Sequence, residues 1–176
     1  MKKFAMMMLA AVSAVVLGAA EIDVNGAFKV TKPGATLPDG WVVNNGPKPV
    51  GKHEIIQKDG KTSIRVVGEK SMYGIAYNKR QEVKPGEKYR LSVDFEGQNT
   101  VANVGIFMYN GTPRAYKYLK GDYGVSKKLT GAQTISREIT IPETVNNAVP
   151  TLMGVTFFIW SPGEAVFSNF KLEKLD

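Results

Sequence analysis

The chain has 176 residues, of which 43% are hydrophobic, no cysteine, and a formal net charge of +7 at pH 7. This length suits one domain with its own core, and the lack of cysteine excludes disulfides, thiol chemistry and cysteine-based metal sites. The basic balance suits acidic partners such as polyanionic glycans, cell-envelope polymers, lipid headgroups or nucleic acid, although a basic surface without a particular partner is the plainer interpretation.

The N-terminus has the pattern of a secretory signal peptide. Met1-Lys2-Lys3 is basic, residues 4–17 are apolar, and Gly18-Ala19-Ala20 offers small residues for cleavage. The apolar run is short for a membrane span, and no basic stop-transfer segment follows it. We therefore predict a signal peptide at residues 1–20, one domain at residues 21–176, export to the periplasm or the medium, and no stable membrane insertion.

Short segments of alternating polar and apolar residues follow, separated by Gly and Pro. This pattern predicts strands at residues 21–30, 41–43, 53–57, 62–67, 73–83, 89–96, 101–109, 114–119, 135–141, 151–160 and 165–172. Asp59-Gly60 between two apolar runs predicts a hairpin, and Lys84-Pro85-Gly86-Glu87 predicts a turn. The last two strands, joined by Ser161-Pro162-Gly163, are expected to form a closing hairpin. The fold class predicted is all-β, a two-sheet antiparallel β-sandwich of the jelly-roll type.

Four segments, taken in order, resemble carbohydrate-binding modules of the family 4, 9 and 22 type. They are Asn25-Gly26-Ala27-Phe28, Leu37-Pro38-Asp39-Gly40-Trp41, Gly60-Lys61-Thr62-Ser63-Ile64-Arg65-Val66 and Lys84-Pro85-Gly86-Glu87-Lys88-Tyr89-Arg90-Leu91-Ser92. Each segment alone is a weak signal, and their order carries the resemblance. It implies a jelly roll, non-catalytic binding of a poly- or oligosaccharide, and a Trp41 side chain that packs under the sheet.

The resemblance also implies a structural calcium held between the first and last strands. Here Lys29 follows Phe28, and Ser168 and Asn169 stand where the family often has aspartates. A hard cation needs several oxygen ligands and tolerates a nearby ammonium badly. These residues argue against calcium at the family's usual place, so we predict no metal ligands and no cofactor, and a structural calcium is the alternative that the resemblance leaves open. Gln133-Thr134-Ile135 replaces a tryptophan common in the family, which makes its usual glycan-binding face uncertain here.

Sugar recognition needs exposed aromatic rings beside groups that hydrogen-bond to hydroxyls. The candidate ligand-binding residues are Tyr109, Arg114, Tyr116, Tyr118, Tyr123 and Trp160. Alternation within a strand at 114–119 places three of them on one face. The alternative is that these tyrosines cap the core with their hydroxyls in solvent, and Tyr73 and Tyr77 are open to the same two interpretations.

No arrangement of residues indicates catalysis, so we predict no catalytic residues and no enzyme. His53 is interpreted as a surface side chain, and the paired carboxylates Asp94 and Glu96 lie on the strand face assigned to water. A lysine-rich run at positions 117, 120, 127 and 128, predicted to lie in loops, superficially suits single-stranded nucleic acid, but export argues against that partner.

Two functions of different classes remain open. One is a secreted carbohydrate-binding module. The other is a structural or envelope-associated sandwich that binds a protein or self-associates through exposed rings of the closing hairpin. The sequence leaves the oligomeric state undefined.

Overall fold

The computed structural model describes residues 19–44, 50–69, 72–124, 127–160 and 162–175, and these residues form strands and turns without a helix. The predicted signal peptide therefore lies almost wholly outside the described residues. The described strands are β1 (Ala20–Ile22), β2 (Trp41–Val43), β3 (Gly51–Lys58), β4 (Lys61–Gly68), β5 (Tyr73–Tyr77), β6 (Gln81–Glu82), β7 (Lys88–Thr112), β8 (Ala115–Asp122), β9 (Lys127–Thr140), β10 (Leu152–Trp160) and β11 (Gly163–Leu175).

Strand β7 belongs to both layers of the sandwich. Its first half pairs with β11 on one side and with β9 on the other. Its second half pairs with β10 and β8. The front sheet thus has the order β2-β5-β10-β7-β8, and the rear sheet has the order β3-β4-β11-β7-β9. The architecture is the two-layer antiparallel jelly roll that the sequence predicts.

A single bent strand replaces the two strands predicted at 89–96 and 101–109. The ladder between β7 and β9 shifts register between Gly97 and Thr100, and Asn99 has a φ of 51°. Such an irregularity bends a strand and increases its twist without reversing it. The chain therefore passes from the rear sheet into the front sheet at this point.

The predicted closing hairpin is wrong. Within the described residues, β10 and β11 share no ladder: β10 pairs with the front half of β7 and β11 with the rear half. The chain crosses between layers around Pro162 because each strand continues alongside a different half of β7. Strand β11 also pairs with the N-terminal strand β1.

Three other boundaries differ from the prediction. The segment Asn25–Phe28 is a turn closed by a hydrogen bond from Phe28 N to Asn25 O, and both end residues have positive φ. The predicted strand at 73–83 is interrupted after β5. The four lysines expected in loops lie on the edge strands β8 and β9, where pairing to β7 on one side leaves polar side chains in water.

The core between the layers is apolar and rich in aromatic rings. Trp41 is 3% exposed and lies 5.3 Å from Phe28 and 5.2 Å from both Phe157 and Phe170, measured between ring centroids. Its indole Nε1 donates a hydrogen bond to Asn25 O at 3.1 Å. The resemblance therefore placed this tryptophan correctly, under the front sheet.

His53 links the two layers and is not the ordinary surface side chain that the sequence suggested. Its Nδ1 lies 2.6 Å from the hydroxyl of Tyr73, which reaches across from β5. Burial lowers the pKa of His53 and raises the pKa of Tyr73, so both groups are neutral at physiological pH. Tyr73 and Tyr77 are both core residues.

Two predicted turns are confirmed. Asp59 and Gly60 have φ values of 51° and 73° and connect β3 to β4, as a two-residue hairpin requires. Glu87 N donates to Lys84 O at 3.2 Å in the turn before β7. Across the described ranges, no helical segment has the length and hydropathy that a membrane span requires.

Candidate functional site

The outer face of the rear sheet is covered by charged pairs. Arg65 contacts Glu54 and Glu164, each at 2.7 Å, and Arg90 contacts Glu138 at 2.7 Å. These side chains are at least 41% exposed, so each pair adds little stability. The result is a hydrated surface whose arginines already have carboxylate partners.

The outer face of the front sheet is aromatic instead. Four of the six large hydrophobic side chains that the described residues expose lie on it: Val42, Tyr116, Tyr118 and Trp160. Isolated exposed apolar residues need no explanation, but a contiguous group of them indicates a surface that binds something.

Seven rings form a continuous row across β8, β7 and β10, which we call the aromatic row. In spatial order they are Tyr116, Tyr109, Tyr118, Phe107, Tyr123, Phe158 and Trp160. The centroids of successive rings are 5.3, 5.8, 6.3, 5.6, 5.2 and 6.4 Å apart. These distances and the steep interplanar angles are those of favourable edge-to-face contacts. The rings therefore support one another as a unit.

The row has a buried floor and exposed upper rings. Phe107 and Phe158 are 7% and 1% exposed, whereas Tyr116, Tyr118 and Trp160 are 43%, 53% and 49% exposed. The floor holds the upper rings in place, and half of each upper ring remains available to a ligand.

Two glycines beneath Tyr123 allow its ring to lie close to the sheet. A Cβ atom on Gly105 would come within 2.7 Å of Tyr123 Cδ1, and one on Gly121 would come within 2.5 Å of the Tyr123 hydroxyl. The main-chain oxygen of Tyr123 also accepts a hydrogen bond from Asn103 Nδ2 at 2.7 Å. The position of this ring is therefore set by backbone geometry.

Tyr109 and Tyr123 of the row are neutral at physiological pH. Burial, followed by the neighbouring Tyr118 and Tyr109, raises the pKa of Tyr123 to about 12. Burial also raises the pKa of Tyr109, although Arg80 acts in the opposite direction. At physiological pH these phenols can both donate and accept hydrogen bonds.

A cleft of about 710 Å³ opens at the Tyr116 end of the row, between that ring and the segment after β5. Ala76, Gly154 and Phe107 are among its lining residues, with the polar side chains of Asn44 and Asn78. The guanidinium carbon of Arg80 lies 3.7 Å from the centroid of Tyr116 and 4.6 Å from that of Tyr109. These are cation–π distances, and they fix the arginine at the cleft wall.

Five of the six predicted site residues are brought together in the aromatic row: Tyr109, Tyr116, Tyr118, Tyr123 and Trp160. The tyrosines do not cap the core, because they lie on the outer face of the front sheet. Arg114 does not share their strand face, since it lies in the turn that precedes Ala115, where β8 begins.

Sequence reasoning missed Arg80, Phe107 and Phe158. Phe107 is two residues before Tyr109, and Phe158 is two residues before Trp160, so alternation could have assigned both to this face. Arg80 has no such local signal, because its contact with Tyr116 depends on how distant segments pack.

The residues at the expected calcium position do not fit a calcium ion. Asn25 Nδ2 donates to the carbonyl oxygens of Lys29 and Asp39, both at 2.9 Å, and Asn25 Oδ1 accepts from Lys29 N at 2.9 Å. Asn169 Nδ2 donates to Asp94 Oδ2 at 3.1 Å. The Asn25 amide therefore already hydrogen-bonds to the carbonyl oxygens that a calcium ion would need as ligands. Among the residues that the structure describes, no three His, Asp or Glu side chains are grouped as a metal site requires.

No protein-family model matches the sequence, and no curated protein matches it either. Solved structures do match the fold. A cyclase from Fischerella sp. TAU superposes with a TM-score of 0.61 at 16% identity, covering 89% of this chain and 98% of its own. The CBM22-1 xylan-binding domain of Paenibacillus barcinonensis Xyn10C gives 0.57 at 11% identity, covering 90% and 98%.

A third match is the CBM22-1-GH10 part of a Clostridium thermocellum xylanase complexed with xylohexaose, with a TM-score of 0.53 at 13% identity. It covers 91% of this chain and 28% of that one. Identities this low show a shared fold alone. The protein therefore has the jelly-roll sandwich found in carbohydrate-binding modules of family 22, as the sequence resemblance predicts, and a cyclase also has this fold.

Proposed function

We propose that this protein is an exported, non-catalytic module that binds a poly- or oligosaccharide on the outer face of the front sheet. The observation that carries the proposal is the aromatic row, with three half-exposed rings above a buried floor. Sugar rings present apolar C–H faces that stack on such aromatic surfaces, while their hydroxyls need hydrogen-bond partners at the sides.

Suitable polar groups lie beside the row. The hydroxyls of the tyrosines can exchange hydrogen bonds with sugar hydroxyls, and Asn44 and Asn78 line the adjoining cleft. An open surface of this kind suits a long chain that lies along it. The rear sheet is a poorer candidate, because its charged side chains already neutralise one another.

The fold itself does not separate a binding module from an enzyme, since the Fischerella cyclase has it too. The cleft lining supports the binding module. It contains no Asp, Glu or His among the described residues, and these are the side chains that most often act as general acids or bases. Export is proposed from the sequence pattern of residues 1–20.

The test is binding of the secreted protein to a glycan array, followed by affinity electrophoresis of variants in gels that contain the best polysaccharide. Tyr118→Ala should abolish retardation without changing the unfolding midpoint, because this ring is 53% exposed. Val30→Ala, an exposed apolar truncation in an N-terminal loop, is the control and should behave like the wild type.

Loss of folding in Tyr118→Ala would mean that this ring serves the core. Absence of binding to every glycan, together with a concentration-dependent increase in mass by light scattering, would favour the alternative of a self-associating sandwich.

A further inference from the structure

The cleft at the Tyr116 end of the aromatic row is lined by two cationic residues. Lys79 and Arg80 both line it, and no acidic residue does so among the described residues. The salt bridges formed within the described part of the chain involve other cations, and neither Lys79 nor Arg80 takes part in one.

Arg80 is also held in a defined orientation. Its guanidinium stacks on Tyr116 and Tyr109, and its Nη1 donates to Asn78 O at 3.2 Å. Its Nε is buried and meets no hydrogen-bond partner within the described part of the chain. A guanidinium that is fixed before binding loses little side-chain entropy when a ligand arrives. The arginines of the rear face differ, because each is already paired with carboxylates.

We propose that the ligand of this face is an acidic glycan, a polysaccharide that contains uronic acid, and that Arg80 binds one of its carboxylates. This inference rests on the proposed function and specifies its ligand. With Nε buried, the Nη end of the guanidinium fork is the part that can meet a carboxylate, and charged hydrogen bonds of this kind are stronger than neutral ones. Tyr116 and Tyr118 then stack on the sugar rings.

Lys79 adds attraction at longer range and does not need a fixed contact. A neutral glycan would leave the positive charge of the cleft unbalanced and the arginine fork without an anionic partner. The net charge acts in the same direction: it is +7 over the full sequence and +5 without Lys2 and Lys3 of the predicted signal peptide.

The experiment measures binding of the full secreted protein to polygalacturonate, alginate and glucuronoxylan, each compared with the same polymer after reduction of its carboxyl groups to alcohols. We expect at least one uronate polymer to bind about tenfold or more tightly than its reduced form, as the loss of a charged hydrogen bond predicts. Raising the salt from about 50 to 200 mM should weaken only the acidic complex.

Substitutions of single cations test whether Arg80 is the residue that binds the carboxylate. Arg80→Gln should lower the affinity for the uronate polymer about tenfold more than the affinity for the reduced polymer, and Arg80→Lys should fall between. Lys61→Gln removes the same charge from the exposed β3–β4 hairpin of the rear sheet and should match the wild type.

Equal affinity for the acidic and reduced polymers, or for neutral xylan and glucan, would overturn the acidic ligand and leave glycan binding intact. Equally tight, Arg80-dependent binding of a sulfated polymer would overturn the assignment to a carboxylate. No binding to any polymer would overturn the proposed function, and with it this inference.

Discussion

The guanidinium of Arg80 lies 3.7 Å from the centroid of the Tyr116 ring, and this contact joins the segment after β5 to the edge strand β8. The two residues approach from opposite edges of the front sheet, above β10 and β7. The contact closes one side of the cleft and continues the aromatic row into a cationic site. The aromatic and the charged parts of the proposed ligand surface are therefore mechanically coupled.

Substituting Tyr116 should affect both parts. Tyr116→Leu removes a stacking ring and the π-face that holds Arg80, so we expect weaker binding of neutral and acidic glycans alike, with little change in the free energy of unfolding. Titration calorimetry of both polymers with this variant and with Arg80→Gln provides the comparison. A loss confined to the acidic polymer would show that Tyr116 only supports the arginine.

A side chain added beneath Tyr123 should disturb the position of this ring in the aromatic row. Gly105→Ala places a methyl group 2.7 Å from the Tyr123 ring and 2.8 Å from Asp122 O, and the main-chain oxygen cannot easily move. We expect destabilisation of roughly 1–3 kcal/mol in urea unfolding and a change in the NMR shifts of the Tyr123 ring.

The matched control is Gly154→Ala on the same face. Its added methyl group would meet Tyr109 at 3.6 Å, an ordinary contact distance. If neither Gly105→Ala nor Gly154→Ala changed the stability or the NMR shifts of the Tyr123 ring, this ring would not lie against Gly105 in solution.

The two tryptophans should behave oppositely. Trp41→Ala removes a side chain that is 3% exposed and should cost roughly 3–5 kcal/mol, because the cavity between Phe157 and Phe170 cannot close fully. Trp160→Ala removes a ring that is 49% exposed and should stay within about 0.5 kcal/mol of the wild type while it weakens glycan binding. Unfolding of both variants in guanidinium chloride measures the two losses of stability. Losses of similar size would contradict the burial assigned to the two side chains.

Glu87 makes stability depend on acid pH. Burial opposes its ionisation, but hydrogen bonds from Lys174, Lys84 N and the Tyr89 hydroxyl together lower its pKa from 4.5 to about 2. Because the folded pKa is lowered, the stabilisation is present above pH 4.5 and is lost as the pH falls towards 2.

We expect Glu87→Gln to cost roughly 1–2 kcal/mol at pH 7, less than the full pKa shift implies, since Lys174 is 44% exposed to screening solvent. Urea unfolding between pH 7 and pH 2.5 should show that the variant loses less stability with acid than the wild type. Glu143→Gln, at an exposed position, should retain the steep dependence of the wild type. A variant that is as acid-sensitive as the wild type would contradict the role of Glu87.

The Asn25 amide should do the work that the family resemblance assigns to calcium. Asn25→Ala removes three hydrogen bonds to Lys29 and Asp39 and should cost roughly 1–3 kcal/mol. Asn25→Asp keeps the acceptor and loses both donors, so it should also be destabilised. Added EDTA or calcium should leave the melting temperature of the wild type unchanged, whereas a clear shift with calcium would contradict this account.

Much of the fold can be predicted from local patterns. Alternation assigned Leu91 and Val93 to the core, where both are fully buried, and Asp59-Gly60 specified a hairpin with positive φ at both residues. These features depend on a few adjacent residues. The fusion of two predicted strands into β7 was missed, because nothing near Asn99 shows whether the chain bends or reverses there.

The candidate site likewise has residues that local patterns predict and residues that only tertiary packing brings together. Tyr116 and Tyr118 are two residues apart on one strand, so their common face follows from the period of a β-strand alone. Trp160 joins them through strand pairing between β10 and β7, and Arg80 through the packing of a loop against β8. Such contacts depend on strand order and register. Sequences with the same alternation of polar and apolar residues can differ in both.

The amino-acid sequence by itself determined an all-β sandwich and its main turns, because both depend on short-range alternation and turn chemistry, and the family resemblance carried by its motifs predicted the burial of Trp41. Only the tertiary structure decided that β10 and β11 separate into different layers, that seven rings form one row, and that Arg80 stacks on Tyr116 at the end of that row. The physical reason is that strand pairing is a long-range choice, made by the packing of the whole core rather than by neighbouring residues.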